Sequence, residues 1–144
     1  MIVPDANLLV YTVDVEAPRH EAARRWMEDS LSGTETVGFA WVALLAFLRV
    51  STRATVFRQP LTVDQAFDVV DAWLSQPPAL VIHPGERHHL LLRELLEHVG
   101  TAGNLVPDAH LAALAVEHGA MLASGDRDFQ RFPKVRLIDP FERT

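Results

Sequence analysis

The first eleven residues, MIVPDANLLVY (1–11), decide the fold class of the chain. Ile2 and Val3 form a short β-branched run of the kind found in buried strands, and a helical pattern follows over residues 6–13. Asp5 lies at the junction, directly after the predicted strand. A strand that leads at once into a helix is typical of an α/β domain with a parallel sheet.

The same alternation of strand and helix continues to the end of the chain. A capping box at Thr62 and Gln65 predicts one helix start, and Gly100 and Gly119 predict two helix ends. Residues 41–50 are apolar nearly all round, which predicts a deeply buried helix. The pattern predicts one three-layer α/β/α domain over residues 1–144, with a central parallel sheet of four or five strands. Predicted strands are 2–3, 36–39, 79–82, 121–123 and 135–138, and predicted helices are 6–13, 18–32, 41–50, 63–76, 86–99 and 107–118.

Composition excludes several classes of protein. Hydrophobic residues make up 49% of the 144 and charged residues 22%, which argues against disorder. The net charge of −6 excludes a generally basic protein that coats nucleic acid, but it allows a nuclease with a local basic rim. There is no cysteine, so disulfides, thiolate metal sites and cysteine catalysis are excluded.

The sequence shows no export or membrane signal. Its start lacks a basic region and reaches an acid at once, unlike a signal peptide. The longest apolar run, residues 37–48, is shorter than the roughly 20 residues that span a bilayer. We therefore expect a cytoplasmic protein that does not enter a membrane.

Acidic residues are predicted to meet at one edge of the sheet. Ligands of open parallel sheets bind beyond the carboxyl ends of the strands. Asp5 follows the first predicted strand, Asp126 and Asp128 follow the fourth, and Asp108 lies in the first turn of the helix that opens with Pro107. Crowded carboxylates repel one another unless a cation lies among them, and oxygen ligands favour Mg²⁺ or Mn²⁺ over zinc. Such a site suits phosphodiester hydrolysis.

Each acid taken singly also has a simpler explanation. Asp5 could cap the first helix, and Asp126 and Asp128 could be turn formers. Asp108 could be present only because a negative charge is favourable near the N-terminus of a helix dipole. The convergence of all of them at one edge favours the site. The histidines on helices have no partner at metal-ligand spacing, so we expect surface or packing roles for His88, His89 and His110.

Three motifs, in order, resemble those of PIN-domain nucleases. They are DANLLVY (5–11), VPDAHLAALA (106–115) and SGDRDF (124–129), and the resemblance covers essentially the whole chain. The stretches FLRVST (47–52) and IDP (138–140) resemble one bacterial subgroup, the VapC-type toxins of type II toxin–antitoxin pairs.

The resemblance implies both an activity and partners. It implies a PIN-like α/β/α fold and a Mg²⁺- or Mn²⁺-dependent endoribonuclease that cuts single-stranded or looped RNA, such as tRNA, rRNA or mRNA. It further implies a cognate VapB-type antitoxin and a homodimer. By motif position, the catalytic metal ligands would be Asp5, Asp108 and Asp126, Asp128 would be an auxiliary acid, and Asn7 and Ser124 would orient ligands or bound water.

One position departs from the family pattern. PIN domains commonly carry a Glu on the helix after the second strand, and that position is Ala46 here. Glu35 is no substitute, because it precedes the second strand and should lie at the opposite end of the sheet. The loss suggests weaker metal binding. Arg49, one turn on, could reach the acids or an RNA phosphate, or pair with a carboxylate as plain structure; candidates to steer RNA are Arg49, Arg53, Arg58 and Arg127.

Three other functions compete with the nuclease. A catalytically inactive PIN-like domain that binds RNA or protein is supported by Ala46 and opposed by the retained acids. A receiver domain needs an Asp after the third strand and a Lys after the fifth, but His83 follows the third and Lys134 precedes the fifth. A small-molecule phosphatase ranks last, since the sequence shows neither a cap domain nor a phosphate cradle.

Overall fold

The computed structural model describes residues 1–142, which form a five-stranded parallel sheet with six α-helices. The strands are β1 (Ile2–Pro4), β2 (Val37–Ala40), β3 (Ala79–Ile82), β4 (Met121–Ala123) and β5 (Arg136–Ile138). The helices are α1 (Ala6–Tyr11), α2 (His20–Leu31), α3 (Trp41–Ser51), α4 (Val63–Leu74), α5 (His88–Val99) and α6 (Val106–Glu117). The strand order is β3-β2-β1-β4-β5, and every neighbouring pair is parallel. The predicted α/β fold is confirmed, with five strands.

Side chains that alternate along the strands fill separate cores on the two faces of the sheet. In β2, Val37 and Phe39 pack with apolar residues of α1 to α4, whereas Ala40 packs with those of α5 and α6. This alternation follows from the two-residue period of a strand. The sheet is therefore a middle layer between two helical layers.

The order of the strands reverses between β1, the central strand, and its neighbour β4. From β1 the sheet grows through β2 to β3 on one side, while β4 and β5 extend it on the other. Ile2 to Pro4 pair with Met121 to Ala123 in register, so both strands end side by side. Such a switch point opens a crevice at the carboxyl edge, where ligands of open α/β sheets bind.

Local signals in the sequence correctly mark several helix ends. Thr62 and Gln65 make both hydrogen bonds of a capping box. Gly100 and Gly119 have φ of 80° and 63°, a left-handed conformation that favours glycine after a helix. Helix α2, in contrast, begins at His20 with Arg19 as its N-cap, so Pro18 precedes the helix rather than opening it.

The prediction that residues 41–50 are deeply buried is wrong for one side of α3. Trp41 is 42% exposed and Leu45 is 58% exposed. Helix α3 packs against α1, α4 and α6, which cover only part of its circumference. In residues 1–142, every helix is too short or too polar to cross a bilayer.

Candidate active site

Asp5 is a buried acid at the start of α1, at the carboxyl end of β1. Its side chain is the helix N-cap, where Oδ1 accepts a hydrogen bond from the Leu8 backbone N–H at 2.7 Å. Its own backbone N–H donates to the Ala123 carbonyl at 3.0 Å, which joins it to the end of β4. With only 3% of its surface exposed, Asp5 has a fixed orientation at the centre of the sheet edge.

Ser124 connects the two acids that follow β1 and β4. Its hydroxyl donates to Oδ2 of Asp5 and accepts from the backbone N–H of Asp126 at 2.9 Å. Oδ1 of Asp126 in turn accepts from the backbone N–H of Asp128 at 2.9 Å. One chain of hydrogen bonds therefore runs across the switch point.

Asp108 reaches the same edge from α6. Helix α6 ends shortly before β4 begins, so its first turn, which contains Asp108, lies at the carboxyl edge of the sheet. Burial raises the pKa of Asp108, and repulsion from Asp126 and Asp128 raises it further. The structure thus places acids from α1, α6 and the turn after β4 near one another.

Burial and the neighbouring acids together raise the pKa of Asp5. Burial, the largest cause, raises its pKa to about 6, and repulsion from Asp126 and Asp108 adds to the rise. The hydrogen bonds from Ser124 and Leu8 oppose the rise, since they stabilise the charged form. Asp5 therefore keeps its proton to a higher pH than an ordinary aspartic acid does.

These acids line one cleft of about 260 Å³ between α1, α3 and α6. Ala46 and Arg49 of α3 form part of its wall, so the position that the family gives to a Glu does face the acids. Glu35 lies at the other end of the sheet, where its Oε1 is 3.2 Å from the amino group of Met1. The acids that line the cleft are Asp5, Asp108 and Asp126. Asn7, which is exposed on α1, lines it as well.

Asp5 and Asp126 also have the simpler structural roles that the sequence allows, in addition to lining the cleft. Asp5 caps α1, and Asp126 caps the 3-10 helix Arg127–Arg131 through its bond with Asp128. Each of these capping bonds occupies one carboxylate oxygen of the acid that accepts it. A carboxylate has about four acceptor sites, so capping leaves capacity for a cation or a water.

The donor set fits a hydrated hard cation. Carboxylate oxygens are preferred by Mg²⁺ and Mn²⁺, and Mg²⁺ commonly keeps several waters while it binds one or two carboxylates. Over residues 1–142, no group of three His, Cys, Asp or Glu side chains is close enough to enclose one ion. An open carboxylate cleft with Ala46 in its wall is compatible with a cation held largely through water.

The arginines predicted to steer RNA differ in their surroundings. Arg49 is exposed on the cleft wall and forms no ion pair within the described residues, so it is not neutralised by a structural carboxylate. Nη1 of Arg58 lies 3.4 Å from Oε1 of Glu16. Arg53 and Arg127 are exposed, but neither lines the cleft.

Sequence reasoning missed three residues near the acids. Arg19 and Phe141 lie on the far side of Asp5 and Asp126, and Asn104 lines the main cleft. Arg19 and Phe141 belong to turns and Asn104 to the short 3-10 helix Gly103–Leu105, and no periodic pattern or motif marks any of them. The histidines expected to pack or lie on the surface include one hydrogen-bonded pair, His88 Nε2 and His110 Nδ1, 2.8 Å apart.

A family comparison matches this architecture. The sequence pattern of the PIN domain matches residues 2–135. The chain belongs to the PIN-domain family.

Ribonuclease VapC37 of Mycobacterium tuberculosis is similar to this PIN-domain chain, with 47% identity over 97% of each chain. Ribonuclease VapC33 of the same species is 40% identical over 97% of this chain and 98% of its own length. The predicted resemblance to VapC-type PIN domains is confirmed.

Solved structures share the PIN fold at lower sequence identity. The VapBC2 structure from Rickettsia felis, bound to a DNA fragment from its promoter, superposes with a TM-score of 0.70 at 22% identity. The match covers 96% of this chain and 98% of that one. Mycobacterium tuberculosis VapC20, described as a sarcin–ricin loop cleaving toxin, gives a TM-score of 0.65 at 20% identity, over 94% and 99%.

Proposed function

We propose that this PIN-domain protein is a divalent-metal-dependent endoribonuclease, the toxin of a type II toxin–antitoxin pair. The observation that carries the proposal is the cleft at the switch point, where Asp5, Asp108 and Asp126 converge. Burial and mutual repulsion raise the pKa of two of them, which is the electrostatic signature of a site built to receive positive charge. The relatives named as VapC ribonucleases support the reaction class.

The same three aspartates would hold the cation, Mg²⁺ or Mn²⁺, largely through bound water, since they do not enclose one ion by themselves. When bound, the cation supplies positive charge for the phosphoryl oxygens and increases the acidity of water. Ala46 contributes no carboxylate, so this site has fewer charges for the cation than the common PIN pattern.

The remaining residues organise the cleft. Ser124 and the Leu8 N–H hold the Asp5 carboxylate in one orientation, so little reorganisation is needed when substrate arrives. Arg49 binds the RNA backbone from the α3 side. Asn7 and Asp128, both exposed beside the acids, orient water. Hydrolysis of the phosphodiester leaves a 5′-phosphate and a 3′-hydroxyl.

The partners follow from the same assignment. The substrate is a single-stranded or looped RNA of the tRNA, rRNA or mRNA class, met in the cytoplasm. A VapB-type antitoxin inhibits the enzyme, and a basic residue of its tail takes the place of the cation among the acids. Two copies of the chain form a homodimer, to which the exposed Trp41 and Leu45 of α3 contribute apolar surface.

Cleavage of total RNA by the purified protein, freed of antitoxin, tests the proposal. The reactions contain Mg²⁺, Mn²⁺ or EDTA, and Asp5→Asn is the matched variant, since it keeps the shape of the side chain. Discrete fragments that need the cation and are absent with Asp5→Asn support the nuclease. Sequencing of the fragment ends then identifies the RNA. An absence of cleavage in every metal would favour the inactive, RNA- or protein-binding PIN domain.

A further inference from the structure

A second cleft lies on the other side of the acids. Asp5, Asn7 and Asp126 line both the main cleft and this smaller one of about 180 Å³. Asp5 and Asp126 therefore lie between the two clefts and contribute to the walls of both. The residues that complete the second cleft are Leu8, Tyr11, Arg19, Gly125 and Phe141.

Arg19 is a positioned cation in this second cleft. Its guanidinium carbon lies 4.6 Å from the centroid of the Phe141 ring, within the range of a cation–π contact. Among residues 1–142 it forms no ion pair with a carboxylate. Tyr11 packs on Phe141 with 6.2 Å between ring centroids, which holds the aromatic support in place. The charge of Arg19 is thus oriented but not neutralised.

Gly125 brings this cation close to the acidic turn. A Cβ at position 125 would overlap Nη1 of Arg19 and lie 2.8 Å from the Phe141 ring. Residue 125 separates Ser124 from Asp126, so Arg19 and Phe141 rest against the backbone of the site itself. The absence of a side chain at Gly125 allows this approach.

An RNA strand that runs from one cleft to the other past these acids needs positive charge on both sides of them. The acids attract a cation but repel the phosphates that flank the scissile one. Arg49 lines the cleft on one side and Arg19 the cleft on the other. We propose that Arg19 binds the RNA phosphate next to the scissile phosphate, with Phe141 holding the guanidinium in place. This inference rests on the proposed ribonuclease function.

Steady-state cleavage by Arg19→Gln tests the inference. The substrate is a short synthetic single-stranded RNA that spans a cleavage site mapped in total RNA. Arg25→Gln is the matched control, because Arg25 is an exposed arginine of α2 that lines neither cleft. We expect KM to rise about tenfold for Arg19→Gln, the range for a hydrogen bond to a charged group, while kcat and the unfolding temperature stay the same.

The salt dependence of binding separates a phosphate contact from a general charge effect. Loss of one contact should reduce the slope of log affinity against log salt by about 0.7 for a single strand. Phe141→Leu, which keeps apolar bulk but removes the ring, should raise KM in the same direction as Arg19→Gln. Arg25→Gln should change neither KM nor the slope.

Four results would overturn the inference. Wild-type KM and slope in Arg19→Gln, with an active parent enzyme, would refute the phosphate contact and leave the ribonuclease intact. Equal effects of Arg19→Gln and Arg25→Gln would show a general charge effect. A fall in kcat at constant KM would place Arg19 in the chemical step instead. Failure of the parent protein to cleave any RNA would refute the proposed function, and this inference with it.

Discussion

The hydroxyl of Ser124 donates a hydrogen bond to Oδ2 of Asp5, although 119 residues separate the two in sequence. The bond spans the ends of β1 and β4, the neighbouring strands between which the strand order reverses. The same hydroxyl accepts from the Asp126 N–H, so it orients two acids at once. Ser124 is 5% exposed. Because the site is shielded from water, its hydrogen bonds are stronger than those of a surface serine, and their loss costs more stability.

Ser124→Ala should lower both stability and activity. It removes a donor to Asp5 and an acceptor for the Asp126 N–H, and an unsatisfied buried polar group costs about 1–3 kcal/mol. Ser51→Ala is the control, since Ser51 is fully buried but its hydroxyl has no partner in residues 1–142. Urea unfolding should show a loss for Ser124→Ala and no loss, or a gain, for Ser51→Ala. Equal losses would mean that the Ser124 hydrogen bonds contribute nothing specific.

The free energy of unfolding should depend on the charge of Asp5 when no cation is present. Its pKa is about 6 in the folded protein against an ordinary value of 3.8. As the pH rises between these values, the unfolded chain releases the proton first, so the folded state loses stability. The full loss is about 3 kcal/mol above the folded pKa, at 1.36 kcal/mol per pKa unit.

Asp5→Asn isolates this contribution. Asn has no charge to bury, so the variant should lack the part of the pH dependence that Asp5 causes. Urea unfolding in EDTA, from about pH 4 to pH 7, should show the variant gaining stability relative to the parent as the pH rises. Parallel curves would contradict the raised pKa of Asp5.

Ala46→Glu should strengthen cation binding. The side chain at position 46 faces the acids, so a carboxylate there adds a negative oxygen ligand to the cleft. We expect Mn²⁺ to bind about tenfold more tightly, because ligand charge sets the affinity of such sites. Calorimetric titration with Mn²⁺ measures the change, with Ala46→Gln as the uncharged control. Equal affinities in the two variants would show that position 46 does not reach the cation.

Leu45→Glu should shift the protein from dimer to monomer without unfolding it. Leu45 and Trp41 give α3 an exposed apolar side, and a charge there opposes burial between two copies. Val63→Glu, on the 66% exposed Val63 of α4, is the control for a surface charge. Light scattering measures the mass of each variant. A dimeric Leu45→Glu would exclude this side of α3 from the interface.

The sequence predicted the fold correctly because its signals are local. Strand and helix periods, the capping box at Thr62 and the glycines at 100 and 119 act within a few residues of one another. The same signals were less reliable where packing decides. Helix α3 is apolar nearly all round, but its neighbours cover only part of it, so Trp41 and Leu45 are exposed.

The set of acids at one edge of the parallel sheet can be predicted from the sequence, because the succession of strands and helices along the chain fixes which residues follow which strand. How those acids are held, and what surrounds them, depends on tertiary packing. The Ser124–Asp5 bond depends on β4 lying beside β1. The contact of Arg19 with Phe141 depends on the turn before α2 and the segment after β5 meeting at Gly125. No local pattern encodes these contacts, since each joins residues that only the packing of the whole domain brings together.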